Sequence, residues 1–109
     1  MSKITTHVLD AVLGKPAAGI PVKLETKDAN TWIDIAAGAT DKDGRCRDLA
    51  PEVAAGVYRL TFEVEAYFTN NGRKSIYPAV TLTFQCDGLD HYHLPLLLSD
   101  NSYTTYRGS

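Results

Sequence analysis

The feature that most constrains this chain is a hydrophobic period of two. Across residues 57–66 the even positions Tyr58, Leu60, Phe62, Val64 and Ala66 are apolar, and the odd ones are mainly polar. Extended backbone turns successive side chains to opposite faces, so this segment reads as a strand with one dry and one wet face. Residues 79–86 repeat the pattern with Val80, Leu82, Phe84 and Cys86 inward. Ile20, Val22 and Leu24 form another inward set, opposite Pro21, Lys23 and Glu25. Residues 4–9 and 31–35 are shorter candidates. Helical periodicity is nearly absent; the one helical piece expected is a turn or two around residues 66–71, weakened by its asparagines. Turn-forming groups punctuate the strands: Gly14-Lys15-Pro16, Asp28-Ala29-Asn30, Asp41-Lys42-Asp43-Gly44, Asn70-Asn71-Gly72 and Asp87-Gly88. Seven or eight short strands with frequent turns predict an all-β fold, a two-sheet β-sandwich with one short helix.

At 109 residues the chain has room for one modest core, so a single domain over 1–109 is expected, with no linker and no internal repeat. Eleven basic against thirteen acidic residues leave no basic stripe of the kind nucleic acid requires and no polybasic membrane contact. No apolar run approaches the ~20 residues of a membrane helix. The first residues lack a signal-peptide core and the last three are not a peroxisomal address, so the cytoplasm is the expected compartment. Cys46 and Cys86 have no Cys-x-x-Cys spacing and are expected to be reduced there. Cys46 lies between Arg45 and Arg47, and flanking cations favour a thiolate, so a nucleophilic role stands beside the simpler one of a passive packed thiol.

Three histidines carry most of the chemical information. His91 and His93, two apart in a strand-like run, project from one face, while Tyr92, Leu94, Leu96 and Leu98 take the other, the core side. Pro95 cannot donate to a ladder and is expected at an edge or bulge. In residues 4–9, His7 points with Thr5 and Leu9, away from Ile4, Thr6 and Val8. Three readings stand side by side: histidines on a solvated face with no special role, imidazoles that position and deprotonate a water, or a His-x-His pair that joins a third histidine on zinc with an open water site. Asp41-Lys42-Asp43-Gly44 begins like a calcium loop, but the glutamate that pattern needs six residues after the glycine is Ala50. It reads instead as a turn that places Arg45. The C-terminal segment, with Tyr103 and Tyr106 among β-formers, is expected to dock on the sheet and not to fray.

Taken together, His7-Val8-Leu9-Asp10, Gly14-Lys15-Pro16-Ala17, Thr40-Asp41-Lys42-Asp43-Gly44-Arg45, His91-Tyr92-His93-Leu94-Pro95-Leu96-Leu97-Leu98-Ser99 and the terminal Tyr106-Arg107-Gly108-Ser109 resemble the 5-hydroxyisourate hydrolases, the transthyretin-related enzymes of urate breakdown. The resemblance spans nearly the whole chain in the family's order, and the terminal tetrapeptide is its most specific mark. Transthyretin shares the scaffold but lacks the histidines and that tetrapeptide. The chain departs from the family at Ser99-Asp100-Asn101-Ser102-Tyr103, where an aromatic residue and a glycine are common.

The resemblance implies a transthyretin-like sandwich assembled as a homotetramer, a dimer of dimers, with sites where facing subunits meet. It implies hydrolysis of the cyclic amide of 5-hydroxyisourate to 2-oxo-4-hydroxy-4-carboxy-5-ureidoimidazoline, with no cofactor, no metal, no nucleic acid and no membrane partner. His7, Arg45, His93 and Ser109 are then the catalytic set. His7 and His93 handle the water, and Arg45 faces the developing oxyanion. His7, Arg45 and Tyr106 bind substrate, while His91 and Arg107 support. A transthyretin-like carrier that binds a small aromatic ligand without turnover is the main alternative; a monomeric immunoglobulin-like structural domain is another.

Overall fold

The computed structural model describes residues 1–108, so Ser109 lies outside the described residues. Nine strands and one helix are found among them: β1 (Ser2–Asp10), β2 (Lys15–Pro16), β3 (Pro21–Asp28), β4 (Thr31–Ala39), β5 (Ala50–Val53), β6 (Gly56–Glu63), α1 (Glu65–Asn70), β7 (Ala79–Cys86), β8 (His91–Leu98) and β9 (Tyr103–Thr105). One sheet runs β2-β1-β8-β9, with β5 also paired to β1; the other runs β4-β3-β6-β7. This is the two-sheet sandwich that the alternation predicts.

The inward residues of both sheets meet in one core. Ile4, Val8, Leu24, Leu60, Phe62, Val64 and Leu96 have no accessible surface, and each such side chain contributes roughly 1.5–3 kcal/mol by leaving water. Every even position named for residues 57–64 is buried, as are Val80, Leu82 and Cys86, while Phe84 is partly buried against the core. Tyr92, Leu94, Leu96 and Leu98 are buried too, which turns His91 and His93 outward on β8.

Three expectations about the elements need correction. Strand β4 runs on to Ala39 through Ala36, Ala37 and Gly38, residues with little strand preference. Its pairing with β3, where Val22 faces Gly38 and Pro21 faces Ala39, supplies what propensity does not. Ala66 ends no strand and lies in α1, where the expected helical piece forms, because the chain leaves β6 at Glu63 and turns on Val64. The helix is anchored by the buried Phe68, and Gly72 ends it at φ +67°, with Arg73 N–H donating to Phe68 O at 2.9 Å. Pro95 does not lie on an edge strand, since β8 is flanked by β1 and β9. Leu96 pairs with Thr105 and His93 with Gly108 in one continuous register, and the ladder lapses between them where Pro95 has no N–H to give. The Pro95 carbonyl takes the Thr105 hydroxyl instead, at 2.8 Å.

The feature that positions the candidate site is the pairing of β1 with β8. These strands lie at opposite ends of the sequence, yet they run parallel side by side, with Thr5 opposite His93 and Lys3 opposite His91. Below them the sheet is tied to α1 by charge. Asp10 is fully buried; its carboxylate accepts from Tyr67 Oη at 2.7 Å, from the backbone N–H of Val12 and Leu13, and from Arg73, which also grips Asp100 at 2.7 Å. Burial pushes the Asp10 carboxyl up, but the hydrogen bonds from Arg73, Leu13 and Tyr67 outweigh it and hold the group at about 2. No helix among the described residues is long and apolar enough to cross a membrane.

Candidate active site

The outer face of β1 and β8 carries the residues that sequence reasoning singled out. His91 is exposed and His93 half-buried, with their ring centroids 6.1 Å apart. Together with Lys3, Thr5, Thr6, Arg45, Cys46 and Arg47 they line an open cleft of about 330 Å³. Among the described residues that lining holds cations, imidazoles, hydroxyls and one thiol, and no carboxylate.

Arg45 reaches the cleft through the Asp41 turn. Asp41 Oδ1 accepts the backbone N–H of Asp43 at 2.8 Å and of Arg45 at 3.0 Å, and Gly44 N–H donates to Asp41 O at 2.9 Å. Gly44 sits at φ +78°, and a Cβ there would fall 2.3 Å from Val8 O, so only glycine lets the turn close on β1. The turn therefore places Arg45, as its sequence predicts. It also separates the two arginines. Arg47 is spent on Asp41 at 3.3 Å and Asp43 at 3.4 Å, whereas Arg45 has no ion pair among the described residues. Arg45 keeps its charge available to the cleft.

His7 is bridged to Arg45 through the backbone, and its Nε2 lies 2.8 Å from Asp43 O. A carbonyl only accepts, so His7 carries its proton on Nε2 and leaves Nδ1 as the acceptor. His7 is not part of the cleft lining in the single chain. It is close enough, however, to contribute with Arg45 and His91 to the field on His93. Burial first, then the charges of His91, Arg45 and His7, depress the His93 imidazole below its ordinary 6.5. A lowered value keeps His93 neutral at pH 7 and able to accept a proton.

The tail docks as expected. Gly108 N–H donates to His93 O at 2.7 Å, and a Cβ on Gly108 would stand 2.7 Å from His93 Cδ2. The glycine backbone thus lies against the imidazole itself. Tyr106 and Arg107 are exposed and take no part in the cleft lining, so within one chain the structure brings neither to the histidines. Ser109 lies outside the described residues.

Two further outcomes bear on the chemistry. Cys46 is buried, and burial, followed by the charges of Asp41 and Asp48, raises its thiol. Arg45 and Arg47 do not activate it, and it is a packed thiol whose sulfur lies where a Cβ on Gly38 would fall, at 2.9 Å. Among the described residues no group of three or more His, Cys, Asp or Glu side chains is placed to hold a metal ion, and His91 and His93 each turn a nitrogen to one hydroxyl.

That hydroxyl belongs to Thr5, which sequence reasoning missed. Thr5 Oγ1 lies 2.6 Å from His91 Nε2 and 2.8 Å from His93 Nδ1. The only signal in the sequence was that Thr5 shares a face with His7; the β1–β8 pairing that brings it to the other two histidines is long-range.

Comparison with known proteins identifies the family. The HIUase/Transthyretin family model matches residues 4–108. The 5-hydroxyisourate hydrolase of Salmonella typhimurium is 43% identical over 97% of this chain and 80% of its own length. The structure of Klebsiella pneumoniae 5-hydroxyisourate hydrolase superposes with a TM-score of 0.89 at 36% identity and covers 100% of both chains. Transthyretin from Sparus aurata superposes with a TM-score of 0.92 at 38% identity over 99% of this chain and 97% of that one.

Proposed function

The chain belongs to the HIUase/transthyretin family, and from that premise we propose that the cleft between β1, β8 and the Asp41 turn is its active site. The activity is that of a hydrolase in urate breakdown, as the hydrolase names of its relatives indicate. It opens the cyclic amide of 5-hydroxyisourate to 2-oxo-4-hydroxy-4-carboxy-5-ureidoimidazoline.

Water attack on that amide creates a tetrahedral oxyanion, so the site needs a base and a fixed positive charge. His93, held neutral, and His7, with Nδ1 as acceptor, position and deprotonate the water. Arg45 binds the ring oxygens and meets the oxyanion; its freedom from any ion pair among the described residues supports that role. Ser109 completes the catalytic set from the docked tail, Tyr106 contacts substrate, and Arg107 and His91 support. The observation that carries this reading is the tail glycine lying on the His93 ring in a cleft shared with Arg45.

The assembly proposed is a homotetramer with each site completed by a facing subunit, in the cytoplasm, with the whole of 1–109 as one domain. The exposure of Tyr106 and Arg107 and the open cleft support such a partner. The likeness to transthyretin favours a carrier as the second reading, but a carrier has no use for paired imidazoles beside a guanidinium that makes no ion pair among the described residues.

His7→Ala, Arg45→Ala and His93→Ala are each expected to lower kcat by about 10²–10⁴ with the native mass on a sizing column unchanged. Near-full activity in all three would overturn the assignment.

A further inference from the structure

The cleft poses a problem of proton placement. A catalytic imidazole ordinarily has its tautomer fixed by a carboxylate or a backbone carbonyl at the far nitrogen. Among the described residues no carboxylate lines this cleft, and the far nitrogen of His93, Nδ1, meets the Thr5 hydroxyl at 2.8 Å. The same oxygen meets His91 Nε2 at 2.6 Å.

We propose that Thr5 is a positioning residue whose hydroxyl locks the tautomers of His91 and His93 to one another and relays a proton between them. The inference rests on the hydrolase reading above. A hydroxyl has one proton, so it donates to one ring and must receive an N–H from the other. Two polarities follow. If Thr5 donates to His93 Nδ1, the His93 proton sits on Nε2, which then cannot act as a base. If His93 Nδ1–H donates to Thr5 and Thr5 donates to His91 Nε2, the His93 Nε2 lone pair is free and the His91 proton sits on Nδ1. The second polarity is the resting one in this proposal. It suits the surroundings, since His91 is exposed and water satisfies its Nδ1–H.

The relay balances. His93 Nε2 takes a proton from the attacking water as the new C–O bond forms. The His93 Nδ1 proton passes to Thr5 Oγ1 while the Thr5 proton passes to His91 Nε2. His93 ends neutral with its proton on Nε2, Thr5 keeps one proton, and the positive charge rests on the exposed His91. The reverse shift returns the proton to the nitrogen that leaves when the C–N bond breaks. Among the described residues, the charged and titratable groups around this pair are Lys3, Arg45, Arg47, His7 and the two histidines themselves. All of them disfavour a second positive charge on His93, which is what a relay to the water-exposed ring relieves.

Threonine on a strand also has a plain role, because a β-branched residue suits β1. Valine serves that role equally well, so Thr5→Val and Thr5→Ser separate the two. With the full chain and 5-hydroxyisourate, Thr5→Val is expected to lower kcat about 10- to 100-fold with KM within about twofold, and to move the acid limb of the pH profile. Thr5→Ser should restore most of the rate and the wild-type profile. Nitrogen-15 NMR of the histidine rings at neutral pH gives a readout independent of turnover: His93 and His91 should both be protonated at Nδ1 in the wild type, and Thr5→Val should abolish that pattern. A Thr5→Val enzyme with wild-type kcat and pH profile, or a wild-type His93 protonated at Nε2 alone, overturns the proposal. If the wild type fails to hydrolyse 5-hydroxyisourate while both rings show the Nδ1 pattern, the hydrolase reading fails and the tautomer lock survives.

Discussion

Gly108→Ala isolates the contribution of the docked tail. Gly108 does not need a left-handed backbone, so alanine brings no conformational strain there; what it brings is a methyl group 2.7 Å from His93 Cδ2, with His93 Cγ at 3.4 Å. Carbon atoms rest comfortably at about 3.5–4.0 Å, so the ring must withdraw by about 1 Å or the tail must lift. Displacement of a catalytic group by about 1 Å costs on the order of 10²-fold in rate, or about 2.7 kcal/mol in the barrier. Stability should change little, because β9, Tyr106 and Arg107 are exposed and the core residues of β8 face the other way. The assay is the decay of freshly prepared 5-hydroxyisourate absorbance, read beside a thermal melt. The expected result is a kcat lowered about 100-fold with a melting temperature within a few degrees of wild type. An alanine variant with wild-type kcat would refute the idea that the tail holds the imidazole in place.

Other consequences concern charge and reactivity. Asp10 is held at about 2 against an ordinary 3.8, so its contribution to stability is complete above pH 4 and is lost as pH falls from about 4 to about 2. The shift corresponds to about 2 kcal/mol; denaturant melts over that window should show the loss in wild type and a flatter response in Asp10→Asn. Asp10→Asn should itself cost about 3–5 kcal/mol at neutral pH by leaving Arg73 short of its buried partner. Because His93 titrates below 6.5, kcat/KM should stay level as pH falls through 7 and decline only below that value, where the base becomes protonated; a limb centred above 6.5 would contradict the depression. Cys46→Ala should retain kcat within about twofold, since a buried thiol raised by its surroundings is not a nucleophile; loss of turnover would reinstate it.

Much of the fold was written locally. Alternation along residues 57–64 and 79–86 depends only on strand geometry, and it correctly separates Leu60 and Phe62 from Arg59 and Thr61. The outward turn of His91 and His93 follows from the same rule, and Asp41 with Gly44 announced a turn that delivers Arg45. What the sequence withheld was long-range. Nothing local says that β1 and β8 run parallel in contact, and without that pairing Thr5 has no reason to meet two histidines 86 and 88 residues away. Arg73, in a loop after α1, gives no hint that it closes on Asp10 and Asp100. The fate of Pro95 also depended on a partner, since a missing donor is harmless wherever the neighbouring ladder lapses. Resemblance supplied the chemistry, while the structure supplied the separation of Arg45 from Arg47 and the retirement of Cys46.

The cleft either performs chemistry or merely accommodates a ligand, and turnover separates the two. Purified protein at a concentration far below that of 5-hydroxyisourate should consume the substrate over many turnovers, and Arg45→Ala and His93→Ala should slow that consumption by at least about 100-fold. Stoichiometric binding with no acceleration over the spontaneous decay would make the molecule a carrier and contradict the account.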